Sequence, residues 1–439
     1  MKRFLYISLC VMAAVISGCE GGSYSYNSNA HIAQLSAFAF AKNDSMPGLS
    51  AAVFSVEERI DTGLVWNKDS MLYGTRLDSV VPRMTYVVTP SAAWITTPDT
   101  VCQLTGYDTL NFTKTPIYLT IRSSDQTNTK TYEIRATVHQ QDPDLYTWET
   151  LSEGFYAANS DEQRTLEMGD AFVMLSSNGA TVRAYRSFDG AAWTELGEAN
   201  GLPAEARIRQ VIGDGERLYY GEGNTMYTST DAVHWTGMNV DYPIVSMLLF
   251  WNARVWALID NEGYQFAYWH NGALDTVALR PDGDFPVRDF ASVCFESSSL
   301  RERAMLIGGI DKDGAALDTR WCLEYSTHPT AQQGMYRLQD FSAGRHNFSE
   351  TTGASAIWYK NQLLLFGTEN DIMVSTDEGL NWTKADSTKN MLPEKARGRK
   401  KQTVIVRDKN IYLFGGQDAD NTTYGDVYRG RLNSIDWKN

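Results

Sequence analysis

Ser187-Phe-Asp189-Gly-Ala-Ala-Trp193-Thr194 aligns with Ser229-Thr-Asp231-Ala-Val-His-Trp235-Thr236, and both align with Ser375-Thr-Asp377-Glu-Gly-Leu-Asn-Trp382-Thr383, which carries one extra residue. A second repeat is interleaved with these. Met305-Leu-Ile-Gly-Gly309 and Tyr412-Leu-Phe-Gly-Gly416 are apolar runs ending in two glycines, and Leu364-Leu-Phe-Gly367 is a weaker copy. Two repeats on one register mark an array of identical units that bury their faces against one another. The strand-ending tryptophans fall at 148, 193, 235, 382 and 437, in steps of 45, 42, 147 and 55. Reading the long step as three units gives six intervals, in the range of ~40–50 residues for a four-stranded unit. Six intervals have seven ends, so the strand around Tyr146-Thr-Trp148-Glu is expected to complete the last unit beside strands from the C-terminus. Closure of this kind removes unpaired sheet edges.

The first repeat resembles the Asp-box of sialidase-like propellers (S-x-D-x-G-x-x-W). The resemblance implies a hairpin turn in which Asp189, Asp231 and Asp377 cap backbone N–H groups while Trp193, Trp235 and Trp382 pack between sheets. The second resembles the di-glycine strands of kelch blades, with Gly308, Gly309, Gly415 and Gly416 in structural roles. Pro286-Val-Arg288-Asp-Phe-Ala-Ser292 resembles the segment that precedes such strands. A six-bladed kelch-like β-propeller over residues 146–439 is therefore expected, with seven blades as the structural alternative.

Upstream, residues 31–140 show short period-two runs broken by turn residues, clearest in the hairpin Ile117–Arg122 with Lys130–Val138. Further strands are expected at Gln34–Phe40, Ala51–Val56, Thr85–Val88 and Leu110–Thr113. Such a series suggests an immunoglobulin-like sandwich. Residues 141–145 read as a polar linker containing Pro143. The chain is all-β, rich in Tyr and Trp, with few stretches of helical period.

The N-terminus reads differently. Met1-Lys2-Arg3 precedes the apolar run Phe4–Ile16, which is too short to span a bilayer at ~20 residues but suits a signal peptide. Ile16-Ser17-Gly18-Cys19 resembles a bacterial lipobox. The resemblance implies a signal peptide over 1–18, lipidation of Cys19, and a membrane tether followed by a flexible leash over 19–30. The layout is similar to that of surface lipoproteins of Bacteroidetes that couple a small β-sandwich to a propeller. A cell-envelope location, anchored in the outer membrane, is the corresponding expectation. Six triplets, from Asp44-Ser-Met46 to Asp275-Thr-Val277, resemble the O-glycosylation sites of that phylum.

Composition narrows the partners. The formal charge of −14 argues against nucleic acid, whose phosphates require a basic face. Cys294 and Cys322 could pair, but spacing does not decide it. The histidines are scattered, so no metal or cofactor is expected. Galactose-oxidase chemistry lacks its paired His ligands, and sialidase chemistry lacks its R-I-P motif, because Glu162-Gln-Arg164-Thr-Leu does not match.

Propellers place ligands where the inner strands begin. Arg164, Arg207, Arg288, Arg345 and Arg397 are each expected there and would form an anion site for a sugar acid or sulfated glycan. The opposing reading makes them blade mortar, paired with acids such as Asp289. Trp251, Trp256 and Trp269 could form a sugar-stacking platform or inter-blade core. Arg397-Gly-Arg399-Lys400-Lys401 is the densest basic run and reads as a solvated loop. Catalytic residues are not identifiable from this pattern. The expected function is a binding or scaffold module for glycan or protein ligands, the alternative a glycan-active enzyme of sugar-acid mutarotase or sialidase type.

Overall fold

The computed structural model describes residues 29–154, 160–281, 283–297, 302–325, 334–338, 349–369 and 371–433. The chain divides into two compact units at Asp142/Pro143. Residues 1–28, which hold the expected signal peptide and Cys19, lie outside the described residues, as does Arg345. Among the described residues no helix is long and apolar enough to cross a membrane.

The first unit is a six-stranded sheet and a separate two-stranded ribbon. In the sheet the order runs Phe54–Glu57, Thr62–Asn67, Thr129–Arg135, Ile117–Arg122, Ala92–Thr96, Val101–Gln103. The ribbon pairs Leu35–Phe40 with Pro82–Tyr86. Alternation places Ile117, Leu119 and Ile121 on the buried face. Phe38, Phe40, Phe54 and Phe112 interlock edge to face around them. Two sequence expectations need correction. Leu110 makes only an isolated bridge to Val80, and Thr62–Asn67, absent from the expected strands, runs parallel to Thr129–Arg135 inside the sheet. Its Gly63-Leu-Val65 is buried without a break, so it shows no clean alternation.

Among the described residues the second unit forms five sheets. Four have four strands each and one has six. Their second strands are near-continuous apolar runs, such as Ala171–Ser177 (AFVMLSS) and Gln362–Thr368 (QLLLFGT), because each is covered on both faces by neighbouring sheets. Outer strands such as Thr194–Glu198 face solvent. Two-residue turns at Asn252-Ala253, Lys360-Asn361 and Asp408-Lys409 join consecutive strands with both residues at positive φ, the twist that hairpins prefer. In the six-stranded sheet, Thr236–Trp251 pairs with Leu218–Ser229 along its first half and with Arg254–Asp260 along its second.

Apolar clusters lie between successive sheets and close on themselves. Phe172 of the first sheet packs against Tyr412 and Phe414 of the last at 4.8 and 5.1 Å between ring centroids. The last sheet is built from Thr403–Arg407, Asn410–Phe414 and Val427–Leu432, completed by Tyr146–Ser152 from the start of the unit.

The three Ser-x-Asp turns share one geometry. The Asp189 carboxylate accepts the N–H groups of Ala191 and Ala192 at 2.8 and 3.0 Å, and the Trp193 indole donates to the Gly190 carbonyl at 3.0 Å. Asp231 accepts from Val233 and His234, and Trp235 donates to Ala232. Asp377 accepts from Asn381, and Trp382 donates to Gly379. The N–H groups of Ala192 and Ala191 hold the Asp189 carboxyl below its ordinary range.

Candidate functional site

The first strands of the sheets, among them Glu162–Met168, Ala291–Glu296, Ser355–Tyr359 and Thr403–Arg407, surround a central channel. A cavity of about 390 Å³ within it is lined by Arg164–Glu167, Gly213–Gly215, Phe290–Ser292, Ala354–Ala356 and Thr403–Ile405. A second cavity of about 300 Å³ opens where the strands begin. Its wall holds Arg164, Arg207, Arg209 and Arg288, with Glu162, Gln210, Asp289 and Phe290. Arg164, Phe290 and Ser292 line both cavities.

The glycines position these loops. A Cβ on Gly309 would lie 2.8 Å from the Arg288 carbonyl oxygen and 2.9 Å from the Phe290 Cβ, so only glycine lets the Arg288–Phe290 segment sit against the strand. A Cβ on Gly415 would overlap the side chain of Gln163, beside Arg164. Asp289 itself adopts φ 53, a left-handed conformation uncommon outside glycine, and its carbonyl accepts the Gly353 N–H at 2.8 Å.

Charges within the cavity are unevenly satisfied. Arg209 Nε stands 3.6 Å from Asp289 Oδ1, and its Nη1 donates to the Lys401 carbonyl at 2.7 Å. The Nε atoms of both Arg164 and Arg209 are buried with no hydrogen-bond partner. Burial, together with the neighbouring Arg209 charge, pushes the Arg164 guanidinium down to about 10, against the pull of Glu162. Burial raises the Glu162 carboxyl, and the Asp289 charge adds to the rise while Arg209 opposes it. Four guanidinium groups and two carboxylates leave local positive charge in a protein of net −14. Chemically, the cavity can desolvate and bind an anion, and it holds carboxyl groups that could exchange protons with one.

The structure thus brings together Arg164, Arg207 and Arg288 of the five arginines expected here. Arg397 is elsewhere. Its Nε donates to the Leu392 carbonyl at 3.1 Å, folding the side chain back on its own loop. Arg209 was missed, although it follows Arg207 by two residues in one loop. Arg399, in the run read as a solvated loop, is 3 % exposed. It forms a 2.7 Å ion pair with Asp426, also bonds the Gly415 carbonyl, and stacks 3.7 Å over Tyr424. These contacts tie together the strand ends of the last sheet. Trp251, Trp256 and Trp269 are buried in inter-sheet core, so they present no platform for a sugar. Cys294 and Cys322 are kept apart by the intervening strand Glu302–Ile307 and form no disulfide with each other. Among the described residues no three His, Cys, Asp or Glu side chains gather as metal ligands.

No curated protein matches the chain. Among solved structures it is similar to YjhT, at 12% identity over 63% of this chain and 95% of that one, with a TM-score of 0.45. An α-L-arabinanase of Penicillium chrysogenum complexed with arabinobiose aligns at 11% identity over 65% of this chain and 97% of its own, with a TM-score of 0.39. A catalytically inactive virginiamycin B lyase from Staphylococcus aureus with quinupristin aligns at 10% identity, covering 65% and 99%, with a TM-score of 0.39. Sequence families decide more: residues 142–439 match the DUF6242 beta propeller domain and residues 27–136 the DUF6242 N-terminal domain of unknown function, so the chain belongs to the DUF6242 family.

Proposed function

We propose that this propeller is a binding module for an acidic glycan, which it takes at the mouth of the central channel. One observation carries the reading: Arg164 lies in the wall of a ligand-sized cavity with three other arginines, its Nε desolvated and without a partner. A ligand carboxylate or sulfate seated against this guanidinium would compensate its buried charge, and each charge-assisted bond is worth roughly 1.5–3 kcal/mol. The supporting architecture is read as six kelch-like blades, the six-stranded sheet being two blades that share Thr236–Trp251. The N-terminal unit is read as an Ig-like spacer.

The test is a glycan array with the full chain in detergent, followed by titration of any acidic hit. Arg164→Gln should weaken binding ~10- to 150-fold without lowering the melting temperature, since the guanidinium it removes is desolvated at Nε without compensation. An array without acidic hits would reject the reading.

A second reading is favoured by Glu162. A carboxyl raised by burial, facing Asp289 in the same cavity, is suited to general acid–base work on the bound ligand, as a sugar-acid mutarotase-like enzyme would require. Product analysis on each hit separates it from simple binding.

We also propose that lipidated Cys19 tethers the protein to the cell envelope, the outer membrane being the expected site. Cys19→Ser should then move it from the detergent-extracted membrane fraction to the soluble one; retention in the membrane fraction would refute the anchor.

A further inference from the structure

We infer that the mouth site reads the end of a glycan: one terminal, singly charged sugar acid, seated with its carboxylate on Arg164. The inference rests on the acidic-glycan reading above and adds which part of the glycan is bound. Three observations support it.

The first is depth. Arg164 lines both the mouth cavity and the channel cavity, so it stands where the two meet, whereas Arg207 is exposed. Arg209 is already engaged by Asp289 and the Lys401 carbonyl. Arg164 is thus the innermost of the wall arginines, the one that lines both cavities, and a ligand must insert its charged group past the outer wall to reach it. A chain end can do this; an interior residue, extended in both directions, cannot.

The second is size. About 300 Å³ lies at the lower end of the range for small-molecule sites, which suits one or two sugar rings. Phe290, half-buried at the junction, offers an apolar face for such a ring.

The third is charge pattern. Glu162 and Asp289 share the wall with the arginines. Four guanidinium groups against these two acids and one bound carboxylate leave little positive charge, and a second negative group placed beside Glu162 and Asp289 is repelled in this poorly solvated space. Densely sulfated polymers are disfavoured by the same groups that leave room for one carboxylate.

The experiment titrates the full chain in detergent with free D-glucuronate, D-galacturonate and N-acetylneuraminate, with trigalacturonate, with polygalacturonate, and with heparin. End recognition predicts that a free acid binds and competes with oligosaccharide. It predicts that trigalacturonate and polygalacturonate bind equally per chain end, so that at equal mass the polymer is far weaker. Heparin should bind weakly to the native chain and at least ~10-fold more tightly to Glu162→Gln, in which one repelling charge is removed. Arg164→Gln should lose the free acid ~10-fold or more, with its melting temperature recorded as a check on folding. Binding that scales with polymer mass, or heparin binding that no free acid displaces, would overturn end recognition while leaving an anion-binding propeller in place. If none of these acidic probes binds, both readings fall.

Discussion

Replacing the seven residues Tyr146–Ser152 by Gly and Ser of equal length lowers the melting temperature of the propeller by about 10 °C or more. These residues lie at the start of the unit and pair with Val427–Leu432 near its end, from Val427 opposite Ser152 to Leu432 opposite Tyr146. Without them the last sheet has three strands and an exposed edge. Packing is lost together with pairing. Tyr146 is buried and packs at 6.0 Å from Tyr359, and the Trp148 ring occupies the space over Gly430 where a Cβ would sit 2.6 Å away. Leu151 leans on the cluster that joins the last sheet to the first. Losing one large buried side chain costs about 3–5 kcal/mol, and a domain of this size loses roughly 1.5 °C per kcal/mol, so the joint loss of Tyr146, Trp148 and Leu151 packing reaches the stated shift. The measurement is thermal unfolding followed by near-ultraviolet circular dichroism. A variant melting within a degree or two of the native chain would show that the ring does not depend on this strand.

Arg399→Ala should destabilise the propeller by about 3–5 kcal/mol, because removing one partner of a buried ion pair strands the other. Asp426 is 9 % exposed and would keep the Tyr428 hydroxyl, at 3.0 Å, but lose its countercharge. The Gly415 carbonyl and the Tyr424 ring would lose contacts as well. Arg399→Met with Asp426→Leu should recover much of the loss, since apolar pairs of similar volume often replace buried ion pairs at little cost. Urea unfolding of the single and double variants checks both statements. A single variant within about 1 kcal/mol of the native chain would show that this ion pair does not hold the last sheet together. Acidic-glycan binding should survive Arg399→Ala wherever the protein remains folded, which is the converse of the effect expected at Arg164.

The contrast between these two arginines marks how far sequence reading reaches. The Ser-x-Asp turns were legible because their bonds are local: Ser187, Asp189 and Trp193 fix one turn among themselves, so spacing alone specifies it. The di-glycines were legible for a related reason, since Gly308-Gly309 and Gly415-Gly416 repeat the same pair of backbone angles, φ 62 and 101 in one and 55 and 101 in the other. Repetition of such units determined an all-β chain and a domain of packed sheets.

Sequence could not tell which arginine is free and which is paired. Arg397 and Arg399 are two residues apart in one run, yet one folds back on Leu392 and the other is buried against Asp426. Arg164, Arg209 and Asp289 converge on one cavity from three separate sheets or loops. Strand order in the N-terminal unit was hidden likewise, because the parallel pairing of Thr62–Asn67 with Thr129–Arg135 joins segments far apart in the chain. Local hydrogen bonds and periodic burial are written into neighbouring residues. A charge acquires its partner, or lacks one, only when distant segments are brought together and water is excluded between them.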